Sequence, residues 1–71
     1  MPDKNVQKVE GRVIEALPAT NFRVQLDDGR DILGHLSGKM RMYHIKIVPG
    51  DRVIVEMTAY DDKRGRITKR L

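Results

Sequence analysis

Two short runs of alternating apolar and polar residues, joined by a tight turn, constrain this chain more than any other feature. In residues 21–26 an apolar side chain falls at every second position, and residues 31–36 continue the alternation. A period of two is typical of a strand that buries one face. The turn, residues 27–30, contains the pair Asp28-Gly29, which is a strong hairpin signal. The segment therefore predicts an antiparallel hairpin with one polar face.

Three further strands are less regular. They are predicted over residues 9–17, 52–57 and 65–70, and residues 58–64 are predicted to form a polar loop. Gly11 lies inside the first strand, and because a glycine within a strand often marks a bulge or a sharp bend, we predict one there. The positions predicted to face the core from the other four strands are Phe22, Val24, Leu26, Ile32, Gly34, Leu36, Val53, Val55, Met57 and Ile67.

A connector of residues 37–51 joins the third strand to the fourth. Its first residue, Ser37, is a suitable N-cap for a short helical turn through residues 39–42. Five short strands with a small helix between the third and the fourth predict an all-β, five-stranded OB-fold Greek-key barrel. An SH3-like barrel is the alternative, since periodicity does not distinguish the two. The whole chain, residues 1–71, is expected to form one domain, with residues 1–5 loosely ordered.

Charge is unevenly distributed along the chain. The net charge is +4, with 14 Lys and Arg residues against 10 Asp and Glu residues. The first 38 residues carry five cations and six anions, whereas residues 39–71 carry nine cations and four anions. A basic half on a small domain favours a polyanionic partner such as a nucleic acid.

Composition and motifs argue against several other classes of protein. The chain has no cysteine, so a disulfide framework or a Cys-based zinc site is excluded. His35 and His44 have no further metal-ligand residues at a suitable spacing, so a metal site is not predicted. No phosphate-binding loop or nucleophile elbow occurs, and we expect neither an enzyme nor a cofactor. No apolar run is long enough to span a bilayer, and the first residues are polar. A cytoplasmic protein without membrane contact is predicted.

The connector concentrates groups that suit RNA. It holds the cations Lys39, Arg41 and Lys46 together with the adjacent rings of Tyr43 and His44. Cations can track phosphates, and flat side chains can stack on bases. Neighbouring side chains point in different directions, so one of the two rings is expected to face inward and the other outward. One residue of the pair Met40 and Met42 is likewise expected in the core.

Other candidate groups come from the predicted strands. The outer face of strands two and three would carry Arg23, Gln25, Leu33 and His35, and the last loop and strand add Lys63, Arg64, Arg66, Lys69 and Arg70. Lys4 and Lys8 are isolated and are interpreted as solvated charges. Two interpretations of Tyr60 stay open: its ring packs against the barrel with the hydroxyl in water, or it contacts a partner. The clustered cations predict a phosphate-binding surface.

Several short sequence motifs along the chain resemble those of bacterial translation initiation factor 1. The most specific is His35-Leu-Ser-Gly-Lys-Met-Arg41, and others are Glu15-Ala-Leu-Pro18, Pro49-Gly-Asp-Arg-Val53 and Arg64-Gly-Arg-Ile67. The matches run collinearly from near residue 10 to near residue 67. This resemblance implies an OB barrel that occupies the A site of the small ribosomal subunit, blocks premature entry of tRNA and assists the other two initiation factors.

The resemblance also implies which residues contact RNA and which partners are present. Its rRNA-contacting positions correspond to Arg23, His35, Lys39, Met40, Arg41, Lys46, Arg64 and Arg66, to which the residues themselves add Tyr43, His44 and Tyr60. The implied partners are the rRNA decoding region, an adjacent ribosomal protein and the other two factors, and the free protein is expected to be a monomer. The alternatives are a cold-shock-type chaperone for single-stranded RNA, which would need several exposed aromatic residues, and a module that binds an acidic protein.

Overall fold

The computed structural model describes residues 6–71 and all their side chains except that of Asp62. It contains five strands and one short helix. In chain order they are β1 (Val6–Leu17), β2 (Asn21–Leu26), β3 (Asp31–Leu36), α1 (Gly38–Met42), β4 (Arg52–Thr58) and β5 (Asp61–Arg70). The two alternating runs form strands β2 and β3 with the predicted bounds. These strands pair antiparallel, from Asn21↔His35 to Gln25↔Asp31.

The strands close into a barrel in the order β1-β2-β3-β5-β4, with β4 returning to β1. Four of the five pairings are antiparallel, and the pairing of β3 with β5 is parallel. The crossover between these two strands contains the connector, with α1, and β4. This arrangement is the predicted five-stranded OB barrel with a helix between strands three and four. The SH3-like alternative is thereby set aside.

Apolar side chains from all five strands and the connector fill the barrel. The buried apolar residues are Val13, Phe22, Val24, Leu26, Ile32, Leu36, Met40, Ile47, Val53, Val55, Met57 and Ile67. Every position predicted from the alternation to face the core is buried, because the period of two matches the pleat of the strands. The connector adds Met40 and Ile47, which do not follow such a period.

Two features of β1 concern its close pairing with both neighbours. Gly11 pairs with both Leu26 and Val53, so it is not bulged itself, and the irregularity in β1 falls between Val13 and Glu15. The predicted bulge is therefore displaced along the strand. A Cβ on Gly11 would lie 2.8 Å from the carbonyl oxygen of Gln25. The absence of a side chain there allows neighbouring backbone to approach, as at other glycines in strand interiors.

Strands β1 and β5 begin earlier than predicted. β1 starts at Val6, and β5 starts at Asp61, so most of the predicted polar loop of residues 58–64 is strand. The loop shrinks to a tight turn because Thr58 pairs with Asp61 and because the Asp61 carboxylate accepts hydrogen bonds from the backbone N–H groups of Lys63 and Arg64. Polar composition alone does not reveal such pairing. The expectation that residues 1–5 are loosely ordered lies outside the described residues.

Candidate nucleic-acid interface

The outer side of β2, β3 and β5 gathers residues that are far apart in sequence. Arg23 on β2 pairs with Leu33 on β3, and Leu33 pairs with Arg64 on β5. One step along the barrel, His35 pairs with Arg66. We call this set, Arg23, Leu33, His35, Arg64 and Arg66, the groove face. Its members point outward because their inward-facing neighbours fill the core.

A groove of about 620 Å³ crosses this face. Its walls combine cations, two carboxylates and uncharged groups, and Leu33, which is 37% exposed, forms an apolar patch among them. The residues that line it are Val6, Asn21, Leu33, His35, Glu56, Thr58, Asp61, Arg64, Gly65 and Arg66. A groove of this size accommodates a small planar group as well as a phosphate.

Each arginine of the groove face has a carboxylate partner. Arg66 donates to Glu56 at 2.6 Å, and the Glu56 side chain is only 19% exposed. Arg64 and Asp61 lie 3.4 Å apart, and Arg23 and Glu15 lie 3.7 Å apart, both pairs being well exposed. Exposed pairs of this kind contribute little to stability, but they orient the guanidinium groups.

Asp61 anchors the edge of the groove. The backbone N–H of Lys63, followed by that of Arg64 and by the Arg64 guanidinium, lowers the pKa of the Asp61 carboxyl below its ordinary value of 3.8. These hydrogen bonds stabilise the ionised form more than the protonated form, because a carboxylate is a better hydrogen-bond acceptor than a protonated acid. The same carboxylate therefore closes the β4–β5 turn and holds Arg64 beside the groove.

The connector is built as a capped turn over a buried methionine. Ser37 accepts a hydrogen bond from the backbone N–H of Met40 at 3.3 Å, as predicted for an N-cap. Met40 is 1% exposed and Met42 is 69% exposed, so one methionine lies in the core as expected. Met40, which belongs to the predicted RNA-contacting set, is thus almost fully buried, and it contributes to the floor of a groove between α1 and β5.

Tyr43 and His44 both face solvent. Tyr43 is 63% exposed, and His44 is exposed too. The prediction that one of the two rings faces inward is wrong. It assumed a regular segment, whereas Tyr43 ends α1 and His44 turns the chain with a left-handed φ of 54°. Because the backbone reverses there, two adjacent side chains can share the solvent side.

The cations of the connector, unlike the arginines of the groove face, have no carboxylate partner among the described side chains. Lys39, Arg41 and Lys46 are exposed, and no carboxylate of the described side chains lies within ion-pair distance of them. A second groove of about 300 Å³ runs between α1 and the end of β5, and Lys39, Tyr43, Lys69 and Arg70 are among its walls. Arg70 also donates to the carbonyl oxygen of Lys46 at 2.9 Å, which ties the connector to the barrel.

The two grooves succeed one another along β5. Arg64 and Arg66 line the first, and Thr68 to Arg70 line the second. Of the predicted site residues, His35, Arg64 and Arg66 line the first groove and Lys39, Met40 and Tyr43 line the second. The exposed residues Arg23, Arg41, His44 and Lys46 line neither. Tyr60 is 84% exposed at the β4–β5 turn.

Sequence reasoning missed four polar residues of the first groove. Beside the predicted cations it is lined by Asn21, Glu56, Thr58 and Asp61. The outward phase of Leu33 was visible in the alternation, but its place between Arg23 and Arg64 depends on the parallel pairing of β3 with β5. The alternation in β4 places Glu56 between the buried residues Val55 and Met57, but its position opposite Arg66 depends on the pairing of β4 with β5, which no local pattern predicts.

One further arginine lies elsewhere and has a structural role. The Arg52 guanidinium donates to Glu10 and, at 2.8 Å, to Asp27, joining β4, β1 and the β2–β3 turn. These hydrogen bonds, that with Glu10 first, raise the pKa of Arg52 above its ordinary value. A cation held by two carboxylates is a poor candidate for binding RNA, which explains why charge count alone overestimates the interface.

The described side chains form no evident metal centre. Within residues 6–71, side chain 62 aside, no group of three or more His, Cys, Asp or Glu residues is arranged to hold a metal ion. The helix in this part of the chain is too short to cross a membrane.

A closed five-stranded barrel with one short helix between β3 and β4 defines an OB-fold protein. The family described as translation initiation factor 1A / IF-1 matches residues 1–71, and the chain belongs to it. The chain is 51% identical to the translation initiation factor 1 of the Wolbachia endosymbiont strain TRS of Brugia malayi, whose solution structure it matches with a TM-score of 0.78. That match covers 96% of this chain and 80% of the other.

A second solved structure shares the barrel in a larger protein. The crystal structure of YjeQ from Thermotoga maritima is 30% identical, with a TM-score of 0.72. The match covers 92% of this chain but only 23% of YjeQ. The likeness therefore concerns one part of that protein, and the family membership is what identifies this chain as a translation initiation factor.

Proposed function

We propose that this initiation factor binds the A site in the decoding region of the small ribosomal subunit through rRNA contacts. There it blocks premature entry of tRNA and assists the other two initiation factors. The observation that carries the proposal is the placement of the family-like segment from His35 to Arg41. His35 lines the first groove, and Ser37 caps the turn that presents Lys39 and Arg41 beside the second.

The mechanism is occupancy without chemistry. Exposed cations of the connector attract rRNA phosphates, and the preformed grooves receive unpaired bases. Single-stranded loops are the favoured targets, because the major groove of A-form RNA is too deep and narrow for side chains to read. Binding is expected to weaken as salt rises, since neutralised phosphates release their counterions.

The finer assignments belong to the same proposal. The partners are the rRNA decoding region, an adjacent ribosomal protein and the other two initiation factors. The chain acts as a monomeric domain of residues 1–71 in the cytoplasm. The proposed rRNA-contacting residues are Arg23, His35, Lys39, Met40, Arg41, Lys46, Arg64 and Arg66, together with Tyr43, His44 and Tyr60 as contacts to exposed bases.

A cold-shock-type chaperone is the second candidate, and the groove face argues against it. General binders of single-stranded RNA stack successive bases on aromatic side chains. The outward positions of β2 and β3 carry Arg23, Gln25, Leu33 and His35, and Phe22 is buried. A surface with cations and few rings suits a structured target better than a flexible strand.

The test is binding of labelled protein to purified small ribosomal subunits, in competition with a known A-site ligand and with bulk single-stranded RNA. We expect saturable one-to-one binding that the A-site ligand displaces and bulk RNA does not. Arg41→Ala is expected to weaken it, whereas Arg12→Ala, an exposed arginine on β1 away from both grooves, serves as the matched control. Equal displacement by any single-stranded RNA would overturn the proposal in favour of the chaperone.

A further inference from the structure

Glu56 is an unusual member of the first groove. It is one of two carboxylates that line this groove beside Arg64, Arg66 and His35, and the other, Asp61, is already occupied by the backbone N–H groups of Lys63 and Arg64. Its side chain is 19% exposed, less than that of any other carboxylate in an ion pair among the described residues. A site meant only for phosphate gains nothing from a carboxylate in its wall, because like charges repel.

The carboxylate has a fixed orientation and one oxygen to spare. Oε1 accepts a hydrogen bond from Nη2 of Arg66 at 2.6 Å. An ionised carboxylate offers about four acceptor positions and no donor, so the group retains acceptor capacity after this bond. Arg66 lies directly opposite Glu56 across β4 and β5, which holds the carboxylate at the wall of the groove.

The other walls suit a nucleobase. Leu33 offers an apolar surface, and Asn21 and His35, which pair across β2 and β3, offer polar groups on the same side. Exocyclic amino groups donate to carboxylates, as cytosine N4 does to Glu or Asp. Adenine, cytosine and guanine carry such a group and uracil does not.

We propose that Glu56 is a specificity-determining residue of the first groove, which selects an unpaired base with an exocyclic amino group and disfavours both uracil and a bare phosphate. The inference deepens the function proposed above and rests on it only for the source of the base, since the selection itself is a property of this groove. Arg66 acts with Glu56 by holding the carboxylate in place and by offering its remaining N–H groups to the acceptors beside the amino group.

The experiment is an NMR titration of the full chain with short oligoribonucleotides of A, C and U of equal length. Backbone amide shifts of residues around the groove follow even weak binding. We expect the A and C oligomers to bind about threefold to tenfold more tightly than the U oligomer, the range that one hydrogen bond supports. In Glu56→Gln this ratio is expected to fall towards one, because an amide also donates to the carbonyl oxygens of uracil.

A matched control separates selection from charge. Asp31→Asn removes the same charge from the outer side of β3, outside the groove, and is expected to strengthen binding of all three oligomers alike. Thermal denaturation checks that both variants fold. An unchanged ratio in Glu56→Gln, or no preference in the parent, would overturn the inference even if subunits are bound. A clear preference for the A and C oligomers without binding to subunits would instead contradict the decoding-site proposal and still support the selectivity of the groove.

Discussion

The groove face and the connector differ in what surrounds their exposed cations. On the groove face Arg23, Arg64 and Arg66 each lie near a carboxylate, and their backbone belongs to a continuous, hydrogen-bonded barrel. In the connector Lys39 and Arg41 extend from a one-turn helix without a carboxylate partner among the described side chains.

The difference indicates a division of labour. An unpaired cation on the surface attracts phosphates at a distance and contributes the full salt dependence of binding. The charge of a paired arginine is offset by its carboxylate, so it contributes little net attraction, but its position is set before binding. The connector therefore supplies attraction, and the groove face supplies selectivity.

Substitution of Gly65 tests the rigid side of this comparison and has the largest expected effect. Its Cβ would collide with Cγ1 of Val55 and approach Sδ of Met57 to 2.5 Å, both in the core. We expect Gly65→Ala to lower the free energy of unfolding by about 3 kcal/mol and the melting temperature by roughly 12 °C, measured by circular dichroism.

Gly38→Ala is the matched change in the connector. Nothing lies within 4 Å of its Cβ position, and alanine favours a helix more than glycine does. Its melting temperature is expected to be equal to that of the parent or slightly higher. Similar losses in both variants would show that the connector is as tightly packed as the barrel.

Removing charge from each region tests the proposed division directly. The double variant Lys39→Ala, Arg41→Ala is expected to weaken subunit binding about tenfold and to reduce the slope of log K against log salt by about 1.4, from two phosphate contacts. The matched double variant Arg23→Ala, Arg64→Ala removes the same charge from paired positions. The salt slope of this variant is expected to change less. Equal changes in the two double variants would contradict the proposed difference between the connector and the groove face.

His44 allows the strain in the connector to be measured. Its φ of 54° is unfavourable for a residue with a Cβ, and the position directly after a helix end is one where glycine is preferred. We expect His44→Gly to be more stable than His44→Ala by about 1 kcal/mol, since both lack the imidazole and only glycine relieves the backbone. Equal chemical denaturation midpoints would show that the turn is not strained.

The smallest predicted effect concerns acid. The folded-state pKa of Asp61 is depressed, chiefly by the backbone N–H of Lys63, so its stabilising contribution is present above the ordinary value of 3.8 and is lost as pH falls through the lower folded-state pKa. Asp61→Asn is therefore expected to flatten the decline of the melting temperature below about pH 4. Asp31→Asn, with no hydrogen bond to its side chain among the described residues, is the control and should leave that decline unchanged.

Much of the molecule was predictable because it follows from local rules. The alternation in residues 21–36 determined β2, β3 and their inward faces, and Ser37 marked the start of α1. The words shared with translation initiation factor 1 predicted the family that the whole-chain match establishes. Errors arose where local rules end, in the early start of β5, the solvent side shared by Tyr43 and His44, and the position of the β1 bulge.

What the sequence determined by itself was therefore the strands, the cap, the excess of positive charge in the second half and the family. Only the tertiary structure decided which side chains meet. The parallel pairing of β3 with β5 places Leu33 beside Arg64, and barrel closure gives Arg66 its partner Glu56 and buries Met40 while exposing Met42. Backbone preferences act over a few neighbouring residues, whereas these contacts join segments brought together by closure of the whole sheet.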